Sequence, residues 1–181
     1  IVTDSNGGNA FASKTIDISP VNDIPTSSPT GLALPNIQED SSLSFSAAQL
    51  LSGITDTDGD ILAVVEGSLT ITTGDGQISG DPVAGWTFTP DADFNGQVSV
   101  EYDVSDSNGG VITSSASFQV LSINDAPVYI DAGLPLGEIN EDTTLSFSPS
   151  TILNDFTDTD AGDSLSITEV FAGNGNVSYD A

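Results

Sequence analysis

The stretch Val98-Ser-Val-Glu-Tyr-Asp-Val-Ser105 decides the fold class of this chain. Apolar and polar residues alternate along it, which is the period of a β-strand with one buried and one wetted face. The same alternation occurs in Leu43–Ser46, Leu69–Thr72, Trp86–Pro90 and Phe118–Val120. Turn signals rich in glycine, asparagine and aspartate separate these segments. About seven short strands at this spacing predict an all-β protein built as a Greek-key β-sandwich.

A repeat extends outward from this strand. The turn that follows it, Asp106-Ser-Asn-Gly-Gly110, already occurs as Asp4-Ser-Asn-Gly-Gly8, an offset of 102 residues. At this offset, residues 2–58 and 104–160 are identical at 25 of 57 positions. A fixed period of domain size is typical of a tandem array. We therefore divide the chain into a first copy (the end of a repeat, 1–23), a complete middle copy (24–125) and a third copy (the beginning of the next repeat, 126–181).

Two segments depart from the strand pattern. Ala47–Leu51 follows Ser46, a good helix N-cap, and Pro149–Leu153 begins with a proline suited to a first helical turn. We expect one short helix at each of these positions.

The charge of the chain is extreme. It has 27 acidic residues, one basic residue (Lys14), no histidine and no cysteine, for a formal net charge of −26. Nucleic acid and anionic lipid bind basic groups, so we expect neither partner, and no apolar run is long enough for membrane insertion. Disulfides and cysteine-based zinc sites are excluded. Because the acids are mostly aspartate, which suits turns and compact oxygen cages, the composition favours cation sites in loops.

The sharpest candidate for such a site is Asp56-Thr-Asp-Gly-Asp60. Carboxylates two residues apart in a tight turn can converge on one cation, although a solvated turn is the alternative. The third copy has Asp158-Thr-Asp-Ala-Gly-Asp163, one residue longer, so the spacing of Asp56 and Asp58 is kept and that of Asp60 is not. An EF-hand is excluded, because its twelfth loop position is Gly67 here.

Other candidate oxygen ligands recur in register. They are Glu39-Asp40 and Glu141-Asp142 before a strand, Asn22-Asp23 and Asn124-Asp125 at the junctions between copies, and Asp91 and Asp93 after the Trp86 strand. Each of these groups is also compatible with an ordinary surface or turn. For Asp106, the Asp-Ser-Asn-Gly-Gly context favours a hairpin turn over a ligand.

No catalytic constellation is present, and we expect no enzyme. Histidine and cysteine are absent, and a glycosidase carboxylate pair repeated every 102 residues would be an unusual use of an active site. Trp86, the only indole, sits at an alternating strand position, which favours core packing over a sugar platform.

In their order along the chain, these motifs resemble the cadherin-like tandem repeats of bacterial repeats-in-toxin (RTX) surface adhesins. The resemblance covers the whole chain and implies a cadherin- or immunoglobulin-like sandwich in a secreted, cell-surface protein with a Ca²⁺-stiffened stalk, used in attachment and biofilm formation. It also implies a ligand set at each junction. Glu39 and the Asp91/Asp93 loop would meet Asn124 and Asp125, completed by Asp158 and Asp160, while Asn22, Asp23, Asp56 and Asp58 would form the matching half upstream.

We therefore expect a structural extender module in which Ca²⁺ joins neighbouring repeats of one chain. Two alternatives stay open. The repeats could bind surface polysaccharide through Trp86, Tyr102, Tyr129 and Tyr179, or the acids could be a halophilic adaptation. Homotypic contacts are a further option, since the partial copies could complement each other between chains.

Overall fold

The computed structural model describes residues 1–130 and 136–178, and it confirms the all-β sandwich. The first copy contributes β1 (Val2–Thr3) and β2 (Asn9–Ala10). The middle copy contains β3 (Leu32–Ala33), β4 (Ile37–Gln38), β5 (Leu43–Phe45), α1 (Ala47–Leu50), β6 (Ala63–Val64), β7 (Thr70–Thr73), β8 (Gly76–Asp81), β9 (Gly85–Pro90), β10 (Gly96–Ser105) and β11 (Val111–Leu121). The third copy contributes β12 (Val128–Tyr129), α2 (Pro149–Leu153) and β13 (Phe156–Thr157).

Two sheets form the middle copy. The larger has the order β3-β11-β10-β6, with β4 also paired to β11 and β7 to β10, and the smaller has the order β5-β9-β8. An antiparallel register from Gly96 opposite Val120 to Ser105 opposite Val111 joins β10 to β11. In contrast, β3 and β4 run parallel to β11. The first and last strands of the copy are therefore neighbours in one sheet.

The predicted alternation in β10 determines what is buried. Val98, Val100, Tyr102 and Val104 are each at most 1% exposed. Side chains of the two sheets share this core, as the ring of Phe88 in β9 meets that of Phe118 in β11 edge to face at 5.2 Å. Burial of each large apolar side chain contributes about 1.5–3 kcal/mol.

Both predicted helices are present. A capping box begins α1, with the Ser46 hydroxyl accepting from the Gln49 amide (3.3 Å) and the Gln49 side chain accepting from the Ser46 amide (2.9 Å). Leu50 is fully buried, and its carbonyl accepts a hydrogen bond from the Tyr102 hydroxyl (2.7 Å). The helix is thereby fixed to the core, and with it the loop that follows. In α2, Pro149 occupies the first turn.

The third copy repeats the sequence of β5 at Leu145–Ser148, but no strand forms there. Leu145 and Phe147 are 37% and 39% exposed, whereas Leu43 and Phe45 in β5 are 7% and 3% exposed. In the middle copy, β5 is held in place by antiparallel pairing with β9, whereas among the described residues no such ladder includes Leu145–Ser148. Among the described residues, the helices are too short to cross a membrane.

Candidate metal centres

The Asp56–Asp60 loop follows α1 and closes around one carboxylate. Asp56 Oδ1 accepts hydrogen bonds from the backbone amides of Asp58 (2.9 Å) and Asp60 (3.3 Å). Gly59 has a φ of +77°, a conformation that a side chain would oppose. This turn brings the carboxylates of Asp56 and Asp60 close to each other.

Asp106, directly after β10, joins them to form what we call the Asp106 cluster (Asp56, Asp60 and Asp106). One oxygen of each carboxylate lies within 4.8 Å of the others. Asp106 is 1% exposed, and its Oδ1 accepts from the amides of Asn108 (2.7 Å) and Gly110 (2.9 Å). Its Oδ2 accepts from the side-chain amide of Asn22 (2.8 Å). This Asn22 amide is the main cause that holds the pKa of Asp106 below its usual value, so the carboxylate is ionised at neutral pH.

Two oxygens of this cluster have no hydrogen-bond donor. Within the part of the chain that the structure describes, the Oδ2 atoms of Asp56 and Asp60 are buried and accept no hydrogen bond. A buried carboxylate oxygen without a partner is costly, and the only basic side chain, Lys14, is exposed. An all-oxygen donor set with unsatisfied negative charge fits a hard cation such as Ca²⁺ and does not suit metals that prefer sulfur or imidazole.

A second group, the junction cluster (Glu39, Asp125 and Asp160), spans the middle copy, the linker and the third copy. One carboxylate oxygen of each lies within 4.8 Å of the others. Glu39 is 2% exposed, and its carboxylate accepts from the Ile123 amide and from the side-chain amide of Asn95 (3.4 Å). The Asp125 amide donates to Asp160 Oδ2 (2.6 Å). Residues from both sides of the boundary therefore meet at one point.

Negative charge is concentrated in the junction cluster. The pKa of Asp125 is raised, first by desolvation and then by the charges of Asp160, Asp93 and Glu39, while a hydrogen bond from Thr159 opposes the shift. Each of these negatively charged neighbours makes the ionised form of Asp125 less favourable. A bound cation would relieve the repulsion.

The two junctions are built in the same way. The Asp23 amide donates to Asp58 Oδ2 (2.7 Å) at the entry of the middle copy, as the Asp125 amide does to Asp160 Oδ2 at its exit. Likewise, Asp160 donates its amide to Asp158 Oδ1 (2.9 Å), as Asp58 does to Asp56. The sequence repeat is thus reproduced as a repeat of hydrogen bonds. Asp23 meets the Asp56–Asp60 loop as predicted, while the side chain of Asn22 donates to Asp106 instead.

The longer loop of the third copy holds a third group, Asp158, Asp160 and Asp163, whose oxygens also lie within 4.8 Å of one another. Because of the extra residue, the Asp163 amide donates to the Asp160 carbonyl (3.3 Å). The equivalent Asp60 amide donates to a carboxylate instead. Asp160 therefore belongs to two clusters, one at the junction and one within its own loop. Asn124, Asp158 and Asp163 line the same cleft of about 440 Å³.

Glu141 and the two aspartates after the recurring glutamates are placed differently. Asp40 and Asp142 are exposed and have left-handed φ values of +62° and +60°, which suits a turn. Neither of them, nor the exposed Glu141, belongs to a carboxylate cluster of the described residues. Their role as ligands stays a prediction.

The loop after β9 approaches the junction through one residue. The charge of Asp93 contributes to the raised pKa of Asp125, so its carboxylate lies near the junction cluster. Asp91 instead shapes the turn: its amide donates to the Asp75 carbonyl (3.4 Å) and its carbonyl accepts from Phe94 (3.1 Å). Both side chains are exposed, and coordination by either one stays a prediction.

Asp106 is a cluster member for which the sequence predicted a turn rather than a candidate ligand. Its predicted turn role is real, since Asp4 makes the same two bonds to the amides of Asn6 (2.9 Å) and Gly8 (2.7 Å) in the first copy. The turn occupies only one oxygen of Asp106, however, and the other faces Asn22. The sequence feature that could have indicated the burial of Asp106 is its position directly after the most regular buried strand.

Aromatic residues that could stack on sugars are mostly inaccessible. Trp86 and Tyr102 are 5% and 1% exposed, so they serve the core, and Trp86 stacks on Phe45 at 6.1 Å. Tyr129 is 59% exposed and packs against Phe156 at 5.4 Å. Tyr179 lies outside the described residues.

Comparison with protein-family models gives an extensive match. A family model described as a cadherin-like domain matches residues 21–121 and 123–181. Among solved structures, an endo-fucoidan hydrolase of glycoside hydrolase family 107 is similar at 18% identity and a TM-score of 0.38, over 55% of this chain and 14% of that chain. A similarity of this size carries no argument about activity. The curated proteins contain no match.

Proposed function

Since the chain belongs to the cadherin-like domain family, we propose that it is a calcium-rigidified extender repeat in the stalk of a secreted bacterial adhesin of the RTX type. The observation that carries this proposal is the junction cluster. Glu39 of the middle copy, Asp125 of the linker and Asp160 of the third copy bring carboxylate oxygens within 4.8 Å of one another. A group assembled from both sides of a boundary can fix the angle between two domains.

The chain's own residues set up this response. Without a cation, the carboxylates of Glu39, Asp125 and Asp160 repel one another. Hydrogen bonds from the Asp125 amide to Asp160, from Thr159 to Asp125 and from the Ile123 amide to Glu39 oppose their separation. With Ca²⁺ held by these three residues, and by Asp56, Asp60 and Asp106 in the Asp106 cluster, the positive charge offsets the repulsion. Asn22 connects the Asp106 cluster to the preceding linker, so occupancy of that cluster would order the upstream junction as well.

The expected affinity suits an extracellular protein. Extracellular modules bind Ca²⁺ with dissociation constants of about 10⁻⁴–10⁻³ M, near the ambient concentration. At a tenfold excess of ion over the dissociation constant, each site adds about 1.4 kcal/mol to the free energy of unfolding. The net charge of −26 keeps neighbouring chains apart in solution. A stalk of this kind would hold a distal binding domain away from the bacterial surface during attachment and biofilm formation.

A distance measurement across the junction tests the proposal. The chain has no cysteine, so Ser79→Cys and Ser150→Cys provide two unique spin-label positions, one in each copy. We expect a narrow inter-label distance distribution in millimolar Ca²⁺ and a broad one in EDTA. Asp160→Asn should prevent the narrowing, while Glu138→Gln, an exposed residue outside the clusters, should leave it intact. Equal widths in Ca²⁺ and EDTA for the unsubstituted chain would refute the proposal.

A further inference from the structure

The first strands of the middle copy lie beside its last strand and run in the same direction. Leu32–Ala33 of β3 pairs with Ala116–Ser117 of β11, and Ile37–Gln38 of β4 pairs with Val120–Leu121. The Leu34 amide donates to the Ser117 carbonyl (2.9 Å) between these two ladders. The entry and the exit of the copy are therefore joined along a single line of contact.

Two side chains accept hydrogen bonds from β11 and the linker at positions where the backbone of β3 and β4 does not. Pro35 has no amide hydrogen and separates β3 from β4. Across this gap, the side-chain carbonyl of Asn36 accepts a hydrogen bond from the Gln119 amide (3.0 Å). At the far end, the Glu39 amide donates to the Leu121 carbonyl (2.9 Å), and the Glu39 carboxylate accepts from the Ile123 amide. The row of bonds thus runs without a break from β3 to the beginning of the linker.

The parallel direction decides how a pulling force acts on this row. Tension from the preceding repeat draws β3 and β4 toward their amino ends, and tension from the following repeat draws β11 toward its carboxyl end. The strands are then forced to slide past each other, so all the bonds between them are strained together. Strands pulled from the same end would instead separate one bond at a time.

We propose that the contact of β3 and β4 with β11, completed by Asn36 and Glu39, is a tension clamp that lets each repeat carry pulling force along the array. The inference rests on the proposed stalk function only in assuming that force enters the copy through its two ends. The clamp itself consists of hydrogen bonds and needs no cation. Because Glu39 also belongs to the junction cluster, Asn36 is the residue that reports on the clamp alone.

Pulling one protein in two directions tests the geometry. In single-molecule force spectroscopy, handles at the two chain ends load the clamp by sliding. Handles at Ser28→Cys and Val111→Cys, both at exposed positions near the amino ends of the paired strands, load it by peeling. End-to-end pulling should require a several-fold higher unfolding force. Unfolding of the middle copy releases a chain with an extended length of about 340 Å, so the measured gain is this length less the span of the folded copy. Equal forces in the two directions would overturn the clamp.

A substitution series identifies the residue. Loss of one hydrogen bond by Asn36→Ala should raise the end-to-end unfolding rate at a given force about fivefold. Asn36→Asp keeps an acceptor oxygen and should restore most of the resistance. Ser44→Ala, which removes a hydroxyl contact to Thr87 (3.1 Å) in the other sheet, is the matched control and should have little effect.

The same measurements in EDTA separate this inference from the calcium proposal. The difference between pulling directions and the effect of Asn36→Ala should both persist without Ca²⁺. If Ca²⁺ does not stiffen the stalk, both of these results should still be obtained. Conversely, an Asn36→Ala chain as resistant as the unsubstituted one would overturn the assignment of Asn36, whatever Ca²⁺ does.

Discussion

Substitution of Asp60 by asparagine should change stability in opposite directions with and without Ca²⁺. In the Asp106 cluster, the Oδ2 atoms of Asp56 and Asp60 are buried beside a third carboxylate and accept no hydrogen bond from residues 1–130 and 136–178. Asp60→Asn removes one of these negative charges and adds an amide that can donate to a neighbouring oxygen. The cation-free protein should therefore become more stable. In Ca²⁺, the same change removes a charged ligand and should make the protein less stable.

The size of each effect follows from the contacts. Supplying one hydrogen bond to a buried charged oxygen is worth about 1 kcal/mol or more. For a domain of this size, 1 kcal/mol corresponds to roughly 4–8 °C in melting temperature, which is the gain expected in EDTA. Losing a site that was held at tenfold excess removes about 1.4 kcal/mol, a fall of roughly 6–11 °C in Ca²⁺.

Thermal unfolding monitored by calorimetry, in Ca²⁺ and in EDTA, measures both effects. Glu101→Gln is the matched control, because it removes one negative charge at an exposed position of β10 outside the clusters. It should shift the melting temperature slightly and equally in the two buffers. If Asp60→Asn also shifts both melting temperatures equally, the Asp106 cluster does not bind the ion and the reasoning is wrong.

Three further results are expected. Removal of Ca²⁺ from the unsubstituted chain should lower the melting temperature by roughly 10–20 °C, since unfolding of the middle copy disrupts two clusters. Calorimetry with NaCl in place of Ca²⁺ is the control. If NaCl alone restores the melting temperature, the halophilic alternative is favoured. Tyr102→Phe removes the buried donor to the Leu50 carbonyl and should lower the free energy of unfolding, measured in urea, by about 1–3 kcal/mol. An unchanged urea midpoint would contradict this. The backbone amides of Ala84 and Val83 hold the pKa of Asp81 below 3.8, so its stabilisation is present above that pH and is lost as the pH falls through the lowered pKa. Asp81→Asn should therefore reduce the melting temperature at neutral pH and converge with the unsubstituted chain in strong acid; a constant difference at all pH values would contradict this.

The parts of the fold that the sequence predicts are those set by local patterns. Val98–Ser105 forms a half-buried strand because its alternation of apolar and polar residues matches the pleat. Ser46 begins a short helix because its hydroxyl accepts a hydrogen bond from a first-turn amide, and Pro149 begins another because it has no amide hydrogen that needs an acceptor. The offset of 102 residues carried these features from one copy to the next. At Leu145–Ser148, which is in no ladder of the part of the chain that the structure describes, the same local pattern does not produce a strand.

The parts that escaped prediction depend on contacts distant in sequence. Asp106 is buried and faces Asn22 across 84 residues, so its turn motif gave no sign of this contact or of its place in a carboxylate cluster. The same separation joins Glu39 to the Ile123 amide. Of the adjacent acids Glu39 and Asp40, only the first is buried, because Asp40 turns the chain at a left-handed φ of +62°. Such differences between neighbours are fixed by the packed sheet rather than by composition.

Anomalous diffraction from crystals of this chain grown with Ca²⁺ tests the central claim most directly. The account predicts a calcium peak within coordination distance of the carboxylates of Glu39, Asp125 and Asp160, joining the middle and third copies. An ordered junction with no peak between these three residues, at a Ca²⁺ concentration well above the millimolar range, would contradict it.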